Sequence, residues 1–150
     1  LLAYSMGGSI EPLRHGKPPQ KRAEIGWGTI KFNTSGYTRS IRGNCATYLN
    51  VLHWHGDRIL LPKDSELIAS SEACKEQIFA IGDKAFGLQC HLEVTQDMIY
   101  KWIREDKEFI TREIGRNAGD LIFKQQITFG ENSTSSRLKE IKNLFDYLLR

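Results

Sequence analysis

The sequence predicts one domain of mixed α/β or α+β class, on three observations. Short apolar runs separated by turn residues fill positions 23–91, the apolar period lengthens to three and four residues after Thr95, and 150 residues suffice for a single buried core. The composition, 40% hydrophobic and 26% charged, is that of an ordinary globular protein.

Residues 1–6 read as helix stopped by Gly7-Gly8, because glycine accepts the left-handed backbone of a C-cap. Six residues are too few for an independent helix and no capping residue precedes them, so the chain is expected to begin inside an element. The competing reading is a frayed first turn docked on the core. Residues 14–22 are basic and contain Pro18-Pro19, which marks a surface loop. Ile25, Trp27, Ile30 and Phe32, interleaved with glycines, suggest an irregular strand over 23–32. Residues 51–55 form an apolar-aromatic run ended by a turn at Gly56-Asp57, and the strand over 58–61 stops at Pro62. Further strand-type runs cover 67–70, 77–81 and 85–91, with Gly82-Asp83 as a turn. Thr95 then caps an amphipathic helix whose apolar positions are Met98, Ile99, Trp102, Ile103, Phe109 and Ile110. Gly115 and Gly119 loosen the stretch beyond it, and residues 131–136 read as a polar linker. Leu138, Ile141, Leu144, Phe145, Leu148 and Leu149 form the stripe of a terminal helix expected to pack on the core.

Charge and cysteine usage narrow the function classes. Lys and Arg number 21 against 18 Asp and Glu, and this mild +3 balance points to neither a nucleic-acid nor a membrane-surface partner. No apolar run approaches the ~20 residues of a membrane helix. The first residues lack the charged start of a secretory signal. Cys45, Cys74 and Cys90 are an odd set without a Cys-x-x-Cys pair, which fits a reducing compartment. A cytoplasmic setting is expected.

Two clusters could carry chemistry. His91 and Glu93 stand two apart at the end of an apolar strand, where side chains at i and i+2 share a face. A small bend would bring the carboxylate onto the imidazole, fixing its tautomer and stabilising the imidazolium. That is the base-and-orienter half of a nucleophilic triad; the bland reading of the same spacing is two side chains meeting solvent. The second cluster is His53, His55 and Asp57. Alternating positions suit a metal, yet three or four ligands are wanted and no further Cys or His lies at a ligand spacing, so no metal is assigned. The ordinary reading is a strand-end loop with a satisfied core histidine and an aspartate in a turn.

Seven segments together resemble class I glutamine amidotransferases, and within them the GMP-synthase-like branch. They are Gly7-Gly8, Glu24-Ile25-Gly26-Trp27, His53-Trp54-His55-Gly56-Asp57, Leu61-Pro62, residues 67–71, Gln77, and residues 87–93, in the family's order. The resemblance runs from residue 1 to about Thr95, with a helical sequel to about Gly119. It implies the C-terminal part of a flavodoxin-like three-layer domain with a mostly parallel central sheet. Residues 1–95 would be the amidotransferase core segment and 96–150 the C-terminal helices, one domain incomplete at its N-terminus. Residues 1–6 would be the tail of the helix behind a Gly-x-Cys-x-Gly-x-Gln nucleophile elbow.

The resemblance further implies a Cys-His-Glu triad in which this chain supplies His91 and Glu93 but no nucleophile, and so is inactive alone. Trp54, Gly56 and Asp57 are implied to bind the substrate, with His55 structural, and no cofactor is implied. The substrate would be L-glutamine or a γ-glutamyl compound, and an ammonia-accepting synthase is the implied partner. A γ-glutamyl peptide hydrolase of the same fold, or a non-catalytic split relative that binds a partner, are the alternatives. Leu92 stands where many members have proline, and Cys90 where many have phenylalanine. Cys90 should face away from His91 on its strand and reads as a small buried residue, not a nucleophile.

Overall fold

In a computed structural model of the chain, residues 1–43 and 45–150 are described. A first turn, α1 (Leu2–Ser5), leads into β1 (Ser9–Pro12), a small hairpin of β2 (Arg14–His15) and β3 (Gln20–Lys21), and the long strand β4 (Glu24–Phe32). After α2 (Gly36–Arg42) come β5 (Tyr48–His55), β6 (Asp57–Leu60), β7 (Ser65–Ser70), β8 (Ile78–Ile81) and β9 (Ala85–Leu88). The helices α3 (Gln96–Glu105), α4 (Lys107–Ile114) and α5 (Ala118–Gln125) come next. A π-helical stretch, Gln126–Gly130, joins α5 to the final helix α6 (Glu131–Leu148).

The mostly parallel, flavodoxin-like sheet is not what this chain forms. Its five-stranded sheet has the order β5-β4-β7-β8-β9, and every pairing in it is antiparallel. The reason is visible in the connections. Parallel neighbours need a crossover of a dozen residues or more, usually helical. Here β8 and β9 are joined by residues 82–84 and β7 and β8 by 71–77, while α3 to α6 all lie beyond the last strand. The clustering of strands before helices carried this information, and the family's whole-domain architecture overrode it.

The sheet also curls. β5 and β9 are its two edges, yet His91, just past β9, bridges Leu52 of β5: the His91 amide donates to the Leu52 carbonyl at 2.8 Å and the Leu52 amide to the His91 carbonyl at 3.3 Å. Two apolar clusters fill the two sides. Ile30, Phe32, Val51, Ile68, Ile78 and Leu92 form one with Leu144 of α6; Trp27, Leu52, Val94, Ile99, Ile110 and Ile122 form the other with α3 to α5.

The helical part departs from expectation in two places. The single helix expected from Thr95 starts there, with the Thr95 hydroxyl accepting from the Met98 amide, but breaks at Asp106 into α3 and α4. Residues 131–136 are no linker. They are the first turns of α6, an 18-residue helix whose buried positions are Ser133, Arg137, Glu140 and Leu144. This stripe has helical spacing but is mostly polar, so apolar periodicity misses it. The predicted stripe is correspondingly split: Leu144 is buried, whereas Leu138 and Phe145 stay 59% and 60% exposed. Buried polar groups need partners, and these have them: Arg42 donates to Glu140 at 2.7 Å, and Arg137 donates to backbone carbonyls. Gly130 allows the π-helical stretch to lie against β4, since a Cβ there would meet Gln126 Oε1 at 2.1 Å and the Trp27 ring at 2.7 Å. Among the described residues no helix is long and apolar enough to cross a membrane.

Candidate active site

The bridge to Leu52 determines where His91 sits. It holds the residue at the sheet's seam, beside the end of β5 that carries His53, Trp54 and His55. His91 Nδ1 and Glu93 Oε1 are 2.8 Å apart. A carboxylate at that distance accepts the Nδ1 proton, so Nε2 is the nitrogen left for proton transfer. The same contact holds the Glu93 carboxyl below its ordinary range, chiefly through the hydrogen bond from His91. Both side chains are accessible, at 29% and 53% exposure. The imidazole packs edge-on against Trp102 of α3 at 5.0 Å, and Trp102 in turn contacts Trp54 at 5.7 Å.

His91 lines a cleft of about 440 Å³ together with Trp54, Asp57, Arg58, Gln89 and Tyr4. Two of the expected substrate-binding residues, Trp54 and Asp57, therefore share a cleft with His91. The Trp54 indole is already engaged, donating from Nε1 to Asp106 Oδ2 at 2.8 Å. Gly56 is not among the cleft-lining residues; its carbonyl accepts from the Leu13 amide at 2.9 Å, which ties the turn to the start of the chain. None of the three cysteines lines the cleft. Cys90 is buried, as its position beside His91 implies, and burial pushes its thiol far up; burial likewise pushes the Cys74 thiol up to about 11. Neither is a thiolate at neutral pH.

Beside the cleft, and sharing His55 with its wall, lies a second polar group. In the β4–β5 ladder Glu24 stands opposite His55 and Gly26 opposite His53, so Glu24, His53 and His55 share one face. Glu24 Oε2 is 3.1 Å from His55 Nε2 and 3.6 Å from His53 Nδ1, and it accepts from Ser71 Oγ at 3.0 Å and Gln77 Nε2 at 2.7 Å. His55 is 7% exposed and engaged by Glu24, and it also lines the cleft. The satisfied core histidine is not found, since neither ring nitrogen of His53 has a hydrogen-bond partner among the described residues. The Asp57 carboxylate is not part of the group; only its carbonyl is, at 2.9 Å from His55 Nδ1. Glu24 and Gln77 were legible only as pieces of a family pattern, since 29 and 22 residues of chain separate them from His53 and His55 respectively. Trp102, Asp106 and Arg137 gave no signal of a site role at all.

Acid should destabilise this part of the fold. Burial draws the His53 imidazole down to about 4, against the upward pull of Glu24. For Glu24, burial opposes the charge, but hydrogen bonds from His55 and Ser71 and the nearby His53 hold its carboxyl low. Between the ordinary histidine value near 6.5 and about 4, the unfolded chain binds a proton that folded His53 refuses. Stability therefore falls as pH drops through that window, by up to about 3 kcal/mol, and the Glu24 contribution is lost in the same direction at lower pH. Urea unfolding in chelator at pH 7, 5.5 and 4 should show this slope, and His53→Gln should remove most of it. An unchanged slope in the variant would contradict the assignment.

The fold is shared with known proteins. No family model matches the chain. A crystal structure of a glutamine amidotransferase from Thermotoga maritima superposes with a TM-score of 0.75 at 24% identity, covering 99% of this chain and 58% of that one. The chain has a class I glutamine amidotransferase-like fold and is homologous to members of that family. Among curated relatives, the putative glutamine amidotransferase-like protein YfeJ of Salmonella typhimurium is 30% identical over 98 residues, which are 65% of this chain and 40% of the relative. The glutamine-hydrolysing GMP synthase of Neisseria gonorrhoeae is 30% identical over 96 residues, 63% of this chain and 17% of that enzyme. The chain thus spans less than half the length of these relatives.

Proposed function

We propose that this chain supplies the general base and its orienting carboxylate to a glutamine-hydrolysing site whose thiol nucleophile comes from outside these 150 residues. The 2.8 Å contact between His91 Nδ1 and Glu93 carries the reading, because it leaves Nε2 free beside an open cleft. In the reaction, a cysteine thiol passes its proton to His91 Nε2 and its sulfur attacks the side-chain amide carbon of glutamine. The C–N bond breaks as His91 returns the proton to the departing ammonia. Water, deprotonated by His91, then cleaves the glutamyl thioester, releasing glutamate and restoring the thiol. Glu93 stays ionised throughout and stabilises the imidazolium. Trp54 and Asp57, on the cleft wall, are the substrate-binding side chains, and Gly56 contributes through the turn that presents Asp57. An ammonia-accepting synthase is the partner this chemistry calls for.

The test is ammonia release from L-glutamine, measured for the chain alone and for the chain joined to, or mixed with, a polypeptide carrying the Gly-x-Cys-x-Gly-x-Gln elbow. The expected result is activity only in the second case. Activity from the chain alone with Cys45, Cys74 and Cys90 all changed to serine would overturn the reading.

A further inference from the structure

Glu24, His53 and His55 place three ligand atoms within 4.8 Å of one another, with the carboxylate oxygen 3.1 and 3.6 Å from the two imidazole nitrogens. Tetrahedral zinc with bonds of about 2.0–2.1 Å holds its donor atoms roughly 3.3–3.4 Å apart, so the two separations from Glu24 already suit a first coordination shell, and the imidazole nitrogens lie within 4.8 Å of each other. Among the described residues, three of the six buried side-chain atoms without a hydrogen-bond partner lie here: Nδ1 and Nε2 of His53, and Oε1 of Gln77. Buried polar atoms are rarely left so, and His53 is only 1% exposed.

The Gln77 amide adds a fourth donor. Its Nε2 lies 2.7 Å from Glu24 Oε2, 3.1 Å from Ser71 Oγ and 3.4 Å from His55 Nε2. The oxygen and nitrogen of a side-chain amide exchange places on a half-turn, and which is which depends on the surroundings. Around a cation the oxygen would take that position, with Ser71 Oγ donating to it. His55 already has the outer contact that metal-binding imidazoles use: Nδ1 lies 2.9 Å from the Asp57 carbonyl, and donating there would free the Nε2 lone pair for an ion in place of its hydrogen bond to Glu24. The His53 ring is fixed by its bed, since a Cβ on Gly28 would meet its Cδ2 and Nε2 at 2.9 and 3.0 Å. Glu24, 16% exposed, gives an ion its way in.

We propose that Glu24, His53 and His55, with the side-chain carbonyl of Gln77, bind one divalent transition-metal ion of the zinc type. Two imidazoles with a carboxylate suit Zn²⁺ in preference to Ca²⁺ or Mg²⁺, which favour all-oxygen shells. The site is structural and separate from the His91–Glu93 dyad. It ties the open end of the β4–β5 ladder to the loop before β8. Spacing along the chain offers Asp57 as the third ligand and so assigns no metal, whereas the sheet register supplies Glu24.

Isothermal titration of the chelator-treated full chain with ZnCl₂ tests this. The expected result is one equivalent bound with a Kd below about 1 μM, a rise in Tm on binding, and no comparable uptake of Mg²⁺. His53→Gln should weaken Zn²⁺ binding at least a hundredfold, while His91→Ala leaves it unchanged. If the wild-type chain takes up no Zn²⁺, or if binding is lost in His91→Ala and kept in a folded His53→Gln chain, the cluster is a hydrogen-bonded group only and the proposal fails. The wild-type titration decides even where a variant does not fold.

Discussion

Alanine in place of His91 is expected to lower glutamine hydrolysis by about a thousandfold in the assembled, thiol-containing protein, with KM little changed. Proton transfer by a positioned side chain contributes roughly 10² to 10⁴ in rate, and here the same ring serves both half-reactions. The loss should fall on kcat because His91 moves protons and is not one of the side chains assigned to hold the substrate. Glu93→Gln should cost less, roughly ten- to a hundredfold, since it removes the orienting charge but leaves the ring. His91 is partly exposed and its ring packs on the edge of Trp102, so His91→Ala should unfold at nearly the wild-type urea concentration. Full activity in the alanine variant would remove the imidazole from the mechanism.

The second large effect belongs to Arg137. The residue is 4% exposed, and its guanidinium donates from Nη1 to the carbonyls of Leu92 at 2.7 Å and Val94 at 3.0 Å. Those two carbonyls flank Glu93, so α6 reaches across the fold to hold the backbone on which the dyad is mounted. The guanidinium also lies 5.0 Å over the Trp27 ring. Burial draws the Arg137 pKa down, and the Glu93 carboxylate opposes this, but the group stays charged at neutral pH. Arg137→Met keeps the bulk and strands both carbonyls. The expected loss is about 2–4 kcal/mol of stability, in line with the cost of leaving buried acceptors unpaired. Urea denaturation measures it, and Arg137→Lys, with a single ammonium in place of the fork, should recover only part. A loss within about 0.5 kcal/mol would mean the clamp is dispensable.

Local chemistry was well represented in the chain. Thr95 as a cap, the strands at 67–70 and 77–81, and the contact of Glu93 with His91 all arise from neighbours in sequence. Features set by distant partners were not legible there. The antiparallel order depended on reading short connections in this segment, not on the architecture of the larger domains it resembles. The polar stripe Ser133, Arg137, Glu140 and Leu144 is buried because Arg42, Leu92 and Val94 lie opposite it, and no hydrophobic period can announce that. Glu24 joins His53 and His55 only through the register of β4 on β5. Asp57 looked equally eligible by spacing alone.

Imidazole ¹⁵N NMR of His91 in the folded chain addresses the dyad without needing the nucleophile. In the neutral ring the Nδ1–H tautomer should predominate, with Nε2 unprotonated, and Glu93→Gln should shift that balance. A ring in which Nε2 carries the proton, indifferent to the Glu93 substitution, would contradict the proposed role of both residues.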